Sequence, residues 1–314
     1  MVDFAMESVD VKKVVSDLEQ IARGLGGNVA KASCYYLDIY RHCIEEMPSE
    51  RSVIVDYGGG HGLFSFFAKR IGFKQVIYID INPVSVKKVE ELKQKTGYGP
   101  DVILCGDAPE LKRWCQENKV VPNCLVSIDV IEHVYNLDTF FADLFAINPA
   151  MQMVFTTASN PCNALKVRRL RKAMIGDETG SREKPNFYTL RRDYIHSQYP
   201  DFEENTLNSW ASATRGLVFD DIKAVVDGEK PLPIVDGYNT CDPRTGSWTE
   251  RVLPIADYNY IVVNNDGTLV CKNGFYNKYS SWYKSLAAKV MNFFIYIFPK
   301  AGRCIAPFIF LKIN

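Results

Sequence analysis

The hydrophobic positions change their period along the chain. Over residues 8–47 apolar residues recur every three or four positions, in VKKVVSDLEQIARGL and around YYLDIYRHCIEEM, which predicts two helices broken at Gly26-Gly27. From Ser52 short apolar runs take over: SVIVD, QVIYID, DVILC, NCLVSID and MQMVFTT, each followed by a stretch of helical period, up to about residue 157. Strands alternating with helices predict an α/β fold with a doubly wound, mostly parallel sheet, in which ligands lie beyond the carboxyl ends of the strands. After residue 157 the alternation stops. Residues 160–250 are polar and rich in turn formers, and read as an insertion. ADYNYIVVNNDGTLVCKNG then sets two extended runs about Asn265-Asp266-Gly267, a hairpin signal that predicts the antiparallel closing edge of a seven-stranded sheet. Two apolar runs follow, MNFFIYIFP and IAPFIFLKI, split by Pro299–Arg303. The expected organisation is N-terminal helices over 1–50 covering the cofactor and substrate, a core over 51–159, a substrate lid over 160–250, the hairpin over 251–280 and an apolar C-terminal tail over 281–314.

Composition narrows the function classes. With 314 residues, 47% hydrophobic and 24% charged, the chain can bury a sizeable core and is not of a disordered type. Basic and acidic residues number 37 each, so nothing draws the whole molecule to nucleic acid, and recognition by charge must be local. Nine cysteines include no C-x-x-C pair, and several sit in apolar runs as small core residues do; together with the absence of a long apolar run in MVDFAMESVD, this predicts a cytoplasmic protein.

The candidate chemistry lies where strands end. In VIVDYGGGHG the first strand stops at Asp56, and Gly58, Gly59, Gly60 and Gly62 let the chain turn sharply with no Cβ between backbone and ligand; a helix is expected from near His61, its free amides facing the same space. Asp80 ends QVIYID, where a carboxylate either accepts both hydrogen bonds of a ribose diol or caps the helix at Pro83. Asp107 follows DVILCG, placed either to accept from a base amino group or to cap the next helix. DVIEHV opens with Asp129 and continues with Glu132 and His133, spaced i, i+3 and i+4 and so on one face if the segment is helical.

DYGGGHG, IDIN, CGDA and IDVIEHV, in this order and spacing over residues 50–157, resemble the class I S-adenosylmethionine-dependent methyltransferases. The acid-x-x-E-H-V segment is most similar to the quinone-biosynthesis O-methyltransferases. The resemblance implies that Asp56, Gly58, Gly60 and Gly62 hold the methionine part of S-adenosyl-L-methionine, Asp80 the ribose and Asp107 the adenine amine. It adds Ile81, Gly106, Ala108 and Asp129 to the cofactor set, and it points the methyl group toward the segment after the fourth strand. A dinucleotide-dependent dehydrogenase accounts for the loop and Asp80, but not for CGDA and DVIEHV.

His133, Glu132 and Asp129 are the catalytic candidates. They act either through a divalent cation such as Mg²⁺, Mn²⁺ or Zn²⁺, or with His133 as a general base. The wider acid-x-x-E-H pattern resembles metal-dependent RNA 2′-O-methyltransferases, which implies a further histidine ligand; His196 is the candidate. Arg168 and Arg169, in the basic run Lys166–Lys172, and Arg244 and Trp248, in TCDPRTGSWTER, are candidates for holding the acceptor. The expected activity is O-methylation of a hydroxyl on a small-molecule or glycan-like acceptor, phosphate-bearing or lipid-linked. Its alternatives are RNA 2′-O-methylation and a non-catalytic scaffold. Residues 286–314 are expected either to rest on a membrane surface, to cover the sheet or to form a subunit contact.

Overall fold

The computed structural model describes residues 20, 27–47, 52–180, 186–234, 237–277 and 282–314. The first predicted helix, apart from Gln20, lies outside them. Helix α1, Gly27–Glu45, begins at the predicted break and lays Tyr40 against Phe64 and Phe67.

Five strands fall on the five apolar runs: β1 Val53–Tyr57, β2 Gln75–Asp80, β3 Val102–Cys105, β4 Cys124–Ile128 and β5 Gln152–Thr157. They pair parallel in the order β3-β2-β1-β4-β5. Between them run α2 Leu63–Arg70, α3 Pro83–Thr96, α4 Ala108–Asn118 and α5 Leu137–Ile147. Helices on both faces bury the central strands twice over, which is why these runs are continuously apolar rather than alternating. Ile54, Val76 and Tyr78 point into one core, and Val55, Ile77 and Ile79 into the other. Asparagines begin several helices: Asn82 accepts from the Val84 amide and Asn136 from that of Thr139.

The insertion is helical. Helices α6 Ala164–Thr179, α7 Phe187–Gln198, α8 Glu204–Ala213 and α9 Phe219–Val226 follow β5, and α7 to α9 share a small core of Ile195, Leu207, Ala211 and Ile222. Fully buried Arg191 on α7 pairs with Glu178 at the end of α6 through both terminal nitrogens; Glu178 also accepts from Thr240 and lies 3.2 Å from Arg215 Nε.

The predicted hairpin is corrected. Residues Ile255–Asn264 form helix α10, with Tyr258 and Val262 buried four residues apart on one face. Asn265-Asp266-Gly267 ends that helix: Asp266 is left-handed at φ 60° and the Gly267 amide donates back to the Val262 carbonyl. Turn-forming residues that reverse a hairpin also close a helix, so the triplet does not distinguish the two. Strand β6, Leu269–Asn273, instead pairs with β7, Ile309–Ile313, cut from the second apolar run of the tail. β7 lies between β5 and β6, antiparallel to both, and completes a seven-stranded sheet in the order β3-β2-β1-β4-β5-β7-β6. The second apolar run, expected on a membrane, over the sheet or in a subunit contact, is thus a strand within the sheet: Ile309, Phe310, Leu311 and Ile313 are buried. The first run falls largely in helix α11, Trp282–Ile297, followed by the short α12, Pro299–Gly302. Among the described residues no helix is long and apolar enough to cross a membrane.

Candidate functional site

The carboxyl ends of β1, β2, β3 and β4 face one rim of the sheet. After β1 the chain bends through the glycines, and α2 starts at Leu63, two residues later than expected. A methyl group built on Gly58 would stand 2.5 Å from Val130 and one on Gly62 2.8 Å from Val89, whereas one on Gly60 meets nothing within 4 Å. Packing thus accounts for Gly58 and Gly62, and Gly60 faces open space. The first-turn amides of Leu63 and Phe64 have no acceptor among the described residues, leaving donors at the start of α2.

Asp56 is not exposed on that rim. It is buried, and its Oδ2 accepts from the Ser65 amide at 3.0 Å and the Ser65 hydroxyl at 2.6 Å, tying α2 to β1. Burial pushes its carboxyl up to about 7, against the opposing Ser65 hydrogen bonds, with the Asp80 charge adding to the rise. Asp80 holds the loop from the other side: Oδ2 accepts from the Gly60 amide and Oδ1 from the Asn82 amide, each at 2.8 Å. The cap before Pro83 is Asn82, not Asp80. Ile81 follows with its side chain 68% exposed beside these polar groups. Asp107 precedes Ala108 at the head of α4 and is exposed, but its side chain makes no capping bond, so the carboxylate is available to a ligand. Gly106 joins β3 to it, its amide donating to the Asp80 carbonyl at 3.0 Å.

DVIEHV is not an α-helix. Asp129 is left-handed at φ 54°, a region costly for a residue with a Cβ, and only Ile131–His133 follows as a single 3₁₀ turn. The i, i+3, i+4 face expected of Asp129, Glu132 and His133 is thus absent. Instead Glu132 and His133 meet Glu250, their ligand atoms all within 4.8 Å of one another; neither Asp129 nor His196 belongs to this group. His196 is exposed in the last turn of α7.

Glu250 arrives through backbone pairing. The Trp248 amide donates to the His133 carbonyl at 3.3 Å and the Arg251 amide to the Glu132 carbonyl at 3.1 Å, laying the end of the insertion along the 3₁₀ turn. Trp248 stacks on Tyr135 and under the Arg251 guanidinium, so it braces this turn. His133 Nδ1 lies 2.7 Å from the Trp248 carbonyl. A carbonyl only accepts, so Nδ1 carries a proton and Nε2 is the ring nitrogen left to face the cluster.

Glu132 is buried; its Oε1 accepts from the Ala158 amide at 3.3 Å and its Oε2 has no hydrogen-bond partner among the described residues. Burial first, then the charge of Asp129, holds its carboxyl well above the usual range. Asp129 is pushed up to about 6 by burial and by Glu250, with Lys166 and His133 opposing. Glu250 Oε2 accepts from the Ser159 hydroxyl at 3.0 Å. Tyr36 of α1 feels the same cluster: burial and the charges of Asp129 and Glu132 raise its phenol. Neither Glu250 nor Tyr36 was singled out by the sequence reading, although Glu250 lies within TCDPRTGSWTER. Arg168 and Arg169 lie on the exposed face of α6, and Arg244 is held by Asp242 at 2.6 Å.

Residues 30–213, more than half of the chain, match a family model described as a methyltransferase domain. The chain belongs to the methyltransferase family. Among curated relatives, this methyltransferase is 30% identical over 88 residues to the ribosomal protein L11 methyltransferase of Hamiltonella defensa and 31% over 84 residues to that of Symbiobacterium thermophilum. These matches cover 27% of the chain and only 28% and 26% of the two relatives. Among solved structures, an S-adenosylmethionine-dependent methyltransferase from Mesorhizobium loti is 13% identical with TM-score 0.44, over 88% of this methyltransferase and 96% of that chain. PKMT2 from Rickettsia typhi, in complex with AdoHcy, is 12% identical with TM-score 0.42, over 84% and 49%.

Proposed function

We propose that the chain methylates a hydroxyl oxygen of a small-molecule or glycan-like acceptor, with S-adenosyl-L-methionine as donor. The rim fits that cofactor. Gly60 opens onto it without obstruction, Asp80 retains lone pairs for a sugar diol, exposed Ile81 offers an apolar surface to a base, and Asp107 has an uncommitted carboxylate. When bound, the cofactor supplies an electrophilic methyl group on a sulfonium: the S–CH₃ bond breaks, an O–CH₃ bond forms and sulfur is left as a neutral thioether. The chain must then take up the hydroxyl proton.

The cluster after β4 supplies that function, and it is the observation that carries the reading. Gly58 packs directly on Val130, so the cluster lies beside the glycine loop. His133, fixed by the Trp248 carbonyl, presents Nε2 as a base. The same three residues suit a divalent cation, which would relieve the crowding of carboxylates and stabilise the deprotonated acceptor; Glu132 Oε2 lacks a partner among the described residues, and a backbone carbonyl orients the histidine as it does behind many metal ligands. No acceptor is taken from the L11 methyltransferases, because those matches are so short.

The test joins calorimetry with the methyl donor and its demethylated product to an acceptor screen using labelled donor. His133→Ala and Glu250→Gln should lower turnover by roughly 10²–10⁴-fold while leaving donor affinity within about threefold. Exhaustive chelation followed by Mg²⁺, Mn²⁺ or Zn²⁺ separates the two versions: loss and recovery supports the cation, full retained activity leaves His133 as the base. Label transferred to nitrogen, or no heat with either ligand, overturns the proposal.

A further inference from the structure

Helix α11 is amphipathic in the wrong direction for a core helix. Only Ala288 and Ile295 are buried, while the large apolar side chains face outward. Trp282 is 78% exposed, Leu286 54%, Phe293 61% and Tyr296 81%. Positions 282, 286, 290, 293 and 297 recur at helical spacing, so Trp282, Leu286, Val290, Phe293 and Ile297 form one continuous stripe opposite the buried pair. Phe298 extends it past the end of the helix, and such a contiguous apolar face marks an interaction site.

Charge says which kind. From Gly267 to Asn314 the sequence has seven lysines and arginines and no aspartate or glutamate. Lys272 and Lys312 are engaged by Glu46, and Arg303 is bonded to Asn273 and the Cys271 carbonyl. Lys284, Lys289 and Lys300 are exposed on and beside α11 and make no ion pair among the described residues. Lys289 flanks the stripe and Lys300 follows the helix, whereas Lys284 lies on the side of Ala288 and Ile295; an isologous contact between two copies would bring the lysines beside the stripe together. An anionic lipid surface meets both features: aromatic and aliphatic side chains enter the boundary between headgroups and acyl chains, and the lysines reach the phosphates.

We propose that α11 lies in the plane of an anionic membrane surface with this stripe inserted. The segment after α11, whose Gly302 lies against the Ile295 backbone of the helix, is fixed to the candidate site's edge. Asn160 Nδ2 donates to the carbonyls of Arg303 and Ala306 at 2.8 and 3.0 Å, Asn163 Nδ2 donates to that of Ala306 at 3.0 Å, and the neighbouring Ser159 binds Glu250. Docking α11 therefore brings the rim of the sheet near the bilayer.

The test is flotation of the full chain with vesicles of phosphatidylcholine alone or with phosphatidylserine. Two lysines at the surface, Lys289 and Lys300, should make binding to the anionic vesicles roughly 30-fold tighter and salt-sensitive. The pair Leu286→Glu and Phe293→Glu, both at exposed positions, should abolish flotation at an unchanged melting temperature. Lys289→Glu with Lys300→Glu should remove the preference for anionic lipid. Failure to float with either vesicle overturns the proposal, as does flotation that the Glu pair leaves intact, or light scattering showing a dimer that the same pair dissociates. Vesicle partition is read without turnover, so it is independent of the proposed reaction.

Discussion

Asp56 is a buried carboxyl whose pKa in the fold, about 7, lies above its ordinary value near 3.9. Between those values the folded chain keeps a proton that the unfolded chain has lost, so stability falls as pH rises from about 4 to about 7, by at most about 1.4 kcal/mol per pH unit. Asp56→Asn, which can still accept from Ser65, should flatten that slope; urea midpoints from pH 5 to 8 measure it, and identical slopes in both proteins would rule the assignment out. The glycines divide in the same way. Gly60→Ala strains a φ of 51° but strikes nothing, so about 1 kcal/mol of stability should be lost, with a larger effect on donor affinity. Gly62→Ala combines a φ of 73° with an overlap on Val89, and about 2–4 kcal/mol of stability should go. Thermal melts beside calorimetric titrations distinguish the two. D-x-G-x-G-x-G was legible as a motif, but not which glycine faces the ligand: that depends on Val130 and Val89, which approach from other elements.

At the scale of elements, the chain shows where charge patterns mislead. The run Lys166–Lys172 drew attention as a basic patch, yet Arg168 and Arg169 are solvated, and the guanidinium that holds the insertion together is Arg191. Burial alone would raise Glu178, but the hydrogen bonds and charge of Arg191 outweigh it and hold its carboxyl below the usual range. Glu178→Ala would leave Arg191 buried without its anion and is expected to destabilise the protein by about 3–5 kcal/mol, read as a lowered melting temperature; Arg168→Ala should change stability by less than about 0.5 kcal/mol. Similar ambiguity hid helix α10. Its apolar residues fit both an extended run and a helical face, and only the burial of Tyr258 with Val262 decides between them. Glu250 was hidden for another reason: it joins Glu132 and His133 through pairing of the 248–251 backbone with the 3₁₀ turn, and no local pattern encodes a contact between segments so far apart.

Across the whole molecule, the five parallel strands were legible because burial on both faces writes itself as unbroken apolar runs. β7 was not, since IAPFIFLKI reads equally well as a surface anchor and as a doubly buried strand. Burying Ile309, Phe310, Leu311 and Ile313 contributes about 6–12 kcal/mol, comparable to the net stability of a typical domain. A chain stopped after Pro307 should therefore fail to give a cooperative melt, whereas the paired glutamates on α11 should leave the melt intact.

This strand order also bears on biosynthesis. β5 must expose an unpaired edge until residues 309–313 have been translated and have cleared the ribosome, although its other neighbour in the sheet, β4, precedes it in the chain. A nascent chain waiting with that row of amides and carbonyls open is a template for intermolecular pairing, so this protein should depend on chaperone protection between the synthesis of β5 and that of β7, and aggregate when translation slows over α11.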